Sequence, residues 1–110
     1  MPDMIYHWCP AEDWDGATDR YRAPSLETEG FIHCSRRDQV ERTATTLERW
    51  NRGMVILAID PTGLPVVEED LYAAGESFPH IYSAIPVEAV REVRAFEPEL
   101  DGSFRLPPDL

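Results

Sequence analysis

The longest unbroken apolar run in the chain is residues 54–59, Met-Val-Ile-Leu-Ala-Ile, closed by Asp60 and a Pro61-Thr62-Gly63 turn. No polar residue alternates within it, so it predicts a central strand buried on both faces. Residues 90–96 instead set Val90 and Val93 against Arg91, Glu92 and Arg94, the mixture of a half-buried strand. Near the start, Met4, Tyr6 and Trp8 fall on one face of a β-prone run, and Ile5, His7 and Cys9 on the other. Helical spacing appears once at length. Val40, Ala44, Leu47 and Trp50 recur at three to four residues, Ser35 with Asp38 fits a Ser-x-x-acid start, and Gly53 supplies a stop. This pattern predicts one main helix over about 36–52, with Trp50 on its core side.

The remaining segments are shorter. Pro10 and the acids after it predict a helical turn, residues 16–24 a surface loop holding Arg20, Tyr21 and Arg22, and residues 25–27 a brief turn before Gly30. Gly30 reverses the chain into a strand over 31–34, residues 66–71 predict a strand carrying Glu68, Glu69 and Asp70, and 73–77 a glycine-containing link. Residues 78–83, Phe-Pro-His-Ile-Tyr-Ser, form a second aromatic and histidine cluster, and Pro86 can open a single helical turn. Beyond Asp101-Gly102, a hairpin-type turn, the chain is proline-rich coil.

A chain of 110 residues, 43% hydrophobic and 10% aromatic, predicts one folded domain with a single modest core. The net charge of -11 repels polyanions and argues against a nucleic-acid partner. All 10 basic residues are arginine, a side chain suited to bidentate phosphate contacts. Two cysteines, Cys9 and Cys34, are too few for a disulfide framework, and no charged segment followed by an apolar one opens the chain. The 54–59 run is far too short to cross a bilayer. The expectation is a soluble cytoplasmic protein with free thiols and no membrane partner.

His7, His33 and His80 are the chain's 3 histidines, and each falls in a short aromatic-rich β-like segment. On adjacent strands they can meet in one site; the structural alternative is that each is satisfied by a backbone partner. A metal centre fits poorly, because strand parity turns Cys34 away from His33 and no Cys-x-x-Cys or His-x-x-x-His pair exists. Cys34 reads as a small core hydrophobe rather than a nucleophile. Among the acids at 68–70, one on a cleft face can stabilise a cationic transition state, and Glu69 is the candidate.

Ile5-Tyr6-His7, Ser25-Leu26 with Glu29-Gly30-Phe31-Ile32-His33-Cys34-Ser35 and Gln39, Ile59-Asp60, Phe78-Pro79-His80-Ile81-Tyr82 and Asp101-Gly102 look like the family catalogued as domain of unknown function 952. That family resembles the ADP-ribosyltransferase fold, closest to the RNA 2′-phosphotransferases, which use NAD⁺ to remove an internal phosphate. The resemblance implies that His7 bonds a ribose or the nicotinamide part of NAD⁺, that His33 holds the other ribose or the phosphate bridge, and that Ser35 faces anionic oxygens. Trp8 stands where the transferases place a glycine, which reshapes the nicotinamide pocket.

Together these features predict an α+β domain: an ADP-ribosyltransferase-like split, bent β-sheet of about six strands with the main helix packed on it. His7, His33 and Glu69 are its catalytic candidates, and Tyr6, Ser35, His80, Tyr82, Arg20 and Arg22 its ligand contacts, with the two arginines and Tyr82 at the rim of the cleft. The expected ligand is NAD or a related phosphate-bearing nucleotide, with ADP-ribosyl or phosphate-group transfer as the chemistry. A non-catalytic module that reads a small ligand in the same cleft is the alternative, and a metal-binding protein a third.

Overall fold

The apolar run becomes the central strand of the computed structural model, which describes residues 3–71 and 73–110. In chain order the elements are β1 (Ile5–Pro10), α1 (Ala11–Asp15), β2 (Arg20–Tyr21), α2 (Pro24–Thr28), β3 (Ile32–His33), a 3₁₀ turn (Arg37–Gln39), α3 (Val40–Glu48), β4 (Met54–Ile59), β5 (Val66–Glu69), β6 (Phe78–Ile81), β7 (Ile85–Pro86), a second 3₁₀ turn (Val87–Ala89) and β8 (Val90–Phe96). β4 lies between β1 and β8, antiparallel to both, with His7 opposite Leu57 and Val93 also opposite Leu57 on the far side.

Strand alternation splits the side chains of β4 between two cores. Met54, Ile56 and Ala58 pack with Tyr6, Phe96, Phe104 and the buried helix residues Val40 and Ala44. Leu57 and Ile59 pack on the opposite side with Ile5, Cys9, Tyr21, Ile32, Ile81 and Ile85. Burial on both faces explains why this run carries no polar residue.

The remaining strands form two further antiparallel sheets, β2-β7 and β3-β6-β5. The result is a mixed α/β domain with three small antiparallel sheets and one main helix among the described residues. Two-residue strands such as β2, β3 and β7 are too short to continue a ladder, so the chain changes sheet at each. The β3 sheet meets β1 at one isolated bridge, in which the amides and carbonyls of Tyr6 and Ser35 exchange hydrogen bonds of 2.8 Å.

The helix is shorter than its periodicity suggests. Ser35 is spent on the bridge to Tyr6, and the turn before α3 is closed instead by Gln39, whose Oε1 accepts the Arg36 amide hydrogen at 2.9 Å. At the other end the chain leaves the helix after Glu48, and Trp50 adopts a left-handed φ of 70°, ahead of Gly53. Trp50 is 60% exposed and Leu47 67%, so neither is a core residue. Trp50 lies against Gly102, close enough that a Cβ there would come within 2.7 Å of the indole.

Candidate functional site: a histidine-bearing cleft over a sheet seam

The bridge joins two sheets so that one set of side chains runs across both. Because Tyr6 pairs with Ser35, alternation places Tyr6, Trp8, Ser35, His33 and Phe31 on one continuous face. His80 is the cross-strand partner of His33 and joins that face. Helix α3 and the segment leading into β6 stand beside it, and together they enclose a cleft of about 710 Å³. Trp8 and Phe78 give the cleft aromatic walls, and Thr43, Thr46 and Leu47 form its helix side.

His33 and His80 sit edge to face, their ring centroids 5.3 Å apart. Each is oriented by a carboxylate: His33 Nε2 bonds Glu29 Oε2 at 3.0 Å, and His80 Nδ1 bonds Glu69 Oε1 at 2.9 Å. A ring nitrogen facing a carboxylate carries its hydrogen, so the second nitrogen of a neutral ring is an acceptor. For His80 that nitrogen, Nε2, has no protein partner among the described residues. The Phe31 ring stacks on His80 at 4.2 Å and meets the edge of His33 at 4.9 Å, which fixes both imidazoles sideways. Tyr82 donates its hydroxyl hydrogen to Glu69. These two donors, Tyr82 first and then His80, hold the Glu69 carboxyl below the usual carboxylate range.

His7 occupies a different position. Its ring lies on the other side of β1, where Nε2 meets the Tyr21 hydroxyl at 2.9 Å and Nδ1 meets the His33 carbonyl at 2.6 Å. The carbonyl only accepts, so Nδ1 carries the hydrogen and Nε2 accepts from Tyr21. Burial pushes the His7 pKa from 6.5 down to about 4, against the opposing pull of the His33 carbonyl. His7 thus borders the cleft while both its nitrogens are spent on the protein. Burial likewise raises the Cys34 thiol, so the residue is an inert core group as its strand parity predicts.

Arg20 and Arg22 are not at the rim of this cleft. The loop holding them contains β2, which pairs with β7 and turns Tyr21 into the core. Alternation sends both arginines to solvent, where Arg22 pairs with Glu27 at 2.8 Å. Tyr82 and Glu69 lie beside His80 but outside the cleft wall itself. Ser35 and Tyr6 do line it, with the Tyr6 hydroxyl accepting from Arg37 at 3.1 Å. Sequence reasoning missed Glu29, Tyr21 and Arg42 as site residues. Glu29 had a signal, four residues ahead of His33 across a turn glycine; Arg42 had none beyond its place on the helix. No group of three or more His, Cys, Asp or Glu suited to a metal occurs among the described residues.

Fold and cleft define a small α/β domain that sets two carboxylate-oriented histidines on the wall of one cleft. The chain belongs to the family described as protein of unknown function DUF952, whose model matches residues 8–93. It is similar to the crystal structure of protein CC0527 from Caulobacter crescentus, with a TM-score of 0.82, 29% identity and 94% of each chain covered. The solution structure of CC0527 gives 0.81 at 28% identity, over 97% of this chain and 96% of that one. No curated protein matches the chain. No helix among the described residues is long and apolar enough to cross a membrane.

Proposed function

We propose that the cleft binds NAD⁺ or a related phosphate-bearing nucleotide, with His33 and His80 holding its ribose for transfer of the ADP-ribosyl or phosphate group. The observation that carries this reading is the histidine pair itself: two imidazoles side by side, each with its tautomer set by a carboxylate, on the wall of a cleft. Its volume of about 710 Å³ suits a cofactor-sized molecule, since such sites span roughly 300–1,000 Å³. The second nitrogen of a neutral His80 offers an acceptor to a ribose hydroxyl, and Trp8 and Phe78 offer faces to a planar base. Cleavage of a glycosidic bond to nicotinamide demands orientation and charge stabilisation more than a strong base. The similarity of the Tyr6-His7 and Phe31-to-Ser35 segments to ADP-ribosyltransferase strands supports the same ligand class, and two free buried thiols suit a cytoplasmic setting. Within this reading His7 is a positioning residue, acting through the His33 carbonyl, and Glu69 acts through His80.

A specific observation favours a second reading, in which the same cleft binds the nucleotide without turning it over. Glu69 is turned to His80 and Tyr82 and does not line the cleft, so no carboxylate from it reaches a ribose carbon directly.

Calorimetric titration of NAD⁺ into the wild type and into His33→Ala, with circular dichroism to confirm folding, tests the proposal. The expected result is binding by the wild type and at least about tenfold weaker binding by the variant, the loss of one strong polar contact. Binding with no nicotinamide release, whatever acceptor is offered, selects the second reading. Absence of binding by the folded wild type refutes both.

A further inference from the structure

Arg42 of α3 and Glu76, in the segment between β5 and β6, both line the cleft and meet there in a two-pronged ion pair. Nη1 bonds Oε1, and Nη2 bonds Oε2 at 2.7 Å. Gln39, fully buried, donates from Nε2 to Glu76 Oε2 at 3.1 Å and to the Ser77 carbonyl at 2.8 Å. Arg36 adds a bond to that same carbonyl at 3.1 Å. The backbone at Ser77 is therefore pinned to the start of α3 independently of the Glu76 carboxylate.

Among the described cleft-lining residues, Arg42 is the one side chain with a permanent positive charge. Its side chain is 55% exposed, so a ligand can reach it. The other acid on the wall, Glu48, is engaged by the Trp8 indole N–H at 3.3 Å and by Asn51 at 3.0 Å. A carboxylate seated on the two terminal nitrogens of a guanidinium occupies the end-on fork that a phosphate would take. One fork cannot hold both anions.

We propose that Arg42 is the anion anchor of the cleft and that Glu76 is its built-in competitor, displaced when a phosphate-bearing ligand takes the guanidinium. The inference rests on the phosphate-bearing ligand class proposed above and adds the residue that recognises it. Because Gln39 and Arg36 keep Ser77 in place, the exchange moves a side chain rather than the segment. It also sets selectivity: a monoanion competes poorly with a carboxylate already in place, whereas a pyrophosphate brings more charge to the same fork.

The test is titration of inorganic pyrophosphate at low ionic strength into the wild type, Glu76→Gln, Arg42→Gln and the double variant. Glu76→Gln keeps the bond from Gln39 and removes the competing charge, so it should bind about tenfold tighter than the wild type. Arg42→Gln and the double variant should lose binding. Arg42 lies on the exposed flank of α3, so its variant tests the anchor even if Glu76→Gln fails to fold. Pyrophosphate affinity unchanged in Arg42→Gln, or no tighter in a folded Glu76→Gln, overturns the proposal. Titrating NAD⁺ into the same proteins separates the two claims. Pyrophosphate binding through Arg42 without NAD⁺ binding keeps the anchor and sinks the nucleotide reading, while NAD⁺ binding indifferent to Arg42→Gln does the reverse.

Discussion

Lowering the pH should unfold this domain earlier than its carboxylates alone would require, and His7 is the reason. In the folded chain its pKa falls from 6.5 to about 4, mainly because the ring is buried. Above pH 6.5 the ring is neutral in both states and the group contributes no pH dependence. As the pH drops below that value the unfolded chain takes up a proton that the folded chain refuses, so stability is lost until the folded ring also protonates near pH 4. The window spans about 2.5 pH units, and at about 1.4 kcal/mol per unit the loss is about 3 kcal/mol, a large share of the roughly 5–15 kcal/mol that holds a domain together. His7→Asn keeps a donor for the His33 carbonyl, gives Tyr21 no matched acceptor and cannot titrate. Urea denaturation of both proteins at steps from pH 7.5 to 4 is the assay. The variant should start about 1–3 kcal/mol less stable, from the unmet Tyr21 hydroxyl, and the gap should close by about 3 kcal/mol as the pH falls. Asp60, Glu69, Glu76 and Asp101, all held below their ordinary values, act only below about pH 4.5 and are common to both proteins. Two curves that stay parallel through the window would show that His7 is not kept neutral by the fold.

Gln39→Ala removes the bonds to the Arg36 amide, the Glu76 carboxylate and the Ser77 carbonyl from a fully buried site, and should cost about 2–3 kcal/mol in a urea melt. A loss below about 0.5 kcal/mol would mean that water replaces all three at no expense. Gly102→Ala places a methyl 2.7 Å from the Trp50 ring at a left-handed φ of 85°, so about 1–3 kcal/mol should be lost together with a change in tryptophan emission. Unaltered stability and emission would show that the indole is free to move away.

How much of this was readable beforehand depended on segment length. β4 declared itself by six apolar residues in a row, and the split of β1 between Tyr6 and Trp8 on one side and Ile5 and Cys9 on the other followed from parity alone. The three histidines all fall in β-like segments able to meet on adjacent strands; the structure makes His33 and His80 direct cross-strand partners and ties both nitrogens of His7 to protein groups on the other side of β1. Where the sequence misled, a distant contact had overruled a local signal. Gly53 looks like a helix stop, but the chain leaves α3 earlier, where Trp50 packs on Gly102 some fifty residues on. Ser35 looks like a helix cap, but its backbone is consumed by Tyr6. Arg20 and Arg22 flank a tyrosine whose burial decides which way they point, and a two-residue strand shows no periodicity from which to read that. Carboxylates are hardest of all: nothing in a run of three acids marks Glu69, rather than its neighbours, as the partner of His80.

The seam between the sheets of β1 and β3 is stitched more than once. Beside the pairing of Tyr6 with Ser35, the His7 Nδ1–H bond to the His33 carbonyl crosses it again. One wall of the cleft belongs to each side: α3 packs on the sheet of β1, and the histidines ride on the sheet of β3. The bonds from Gln39 and Arg36 to the Ser77 carbonyl join those walls directly, so the gap between helix and imidazoles is braced from the start of α3 as well as from the seam. The width of the cleft is thus set by the fold before any ligand arrives, so little ordering is left to be done on binding.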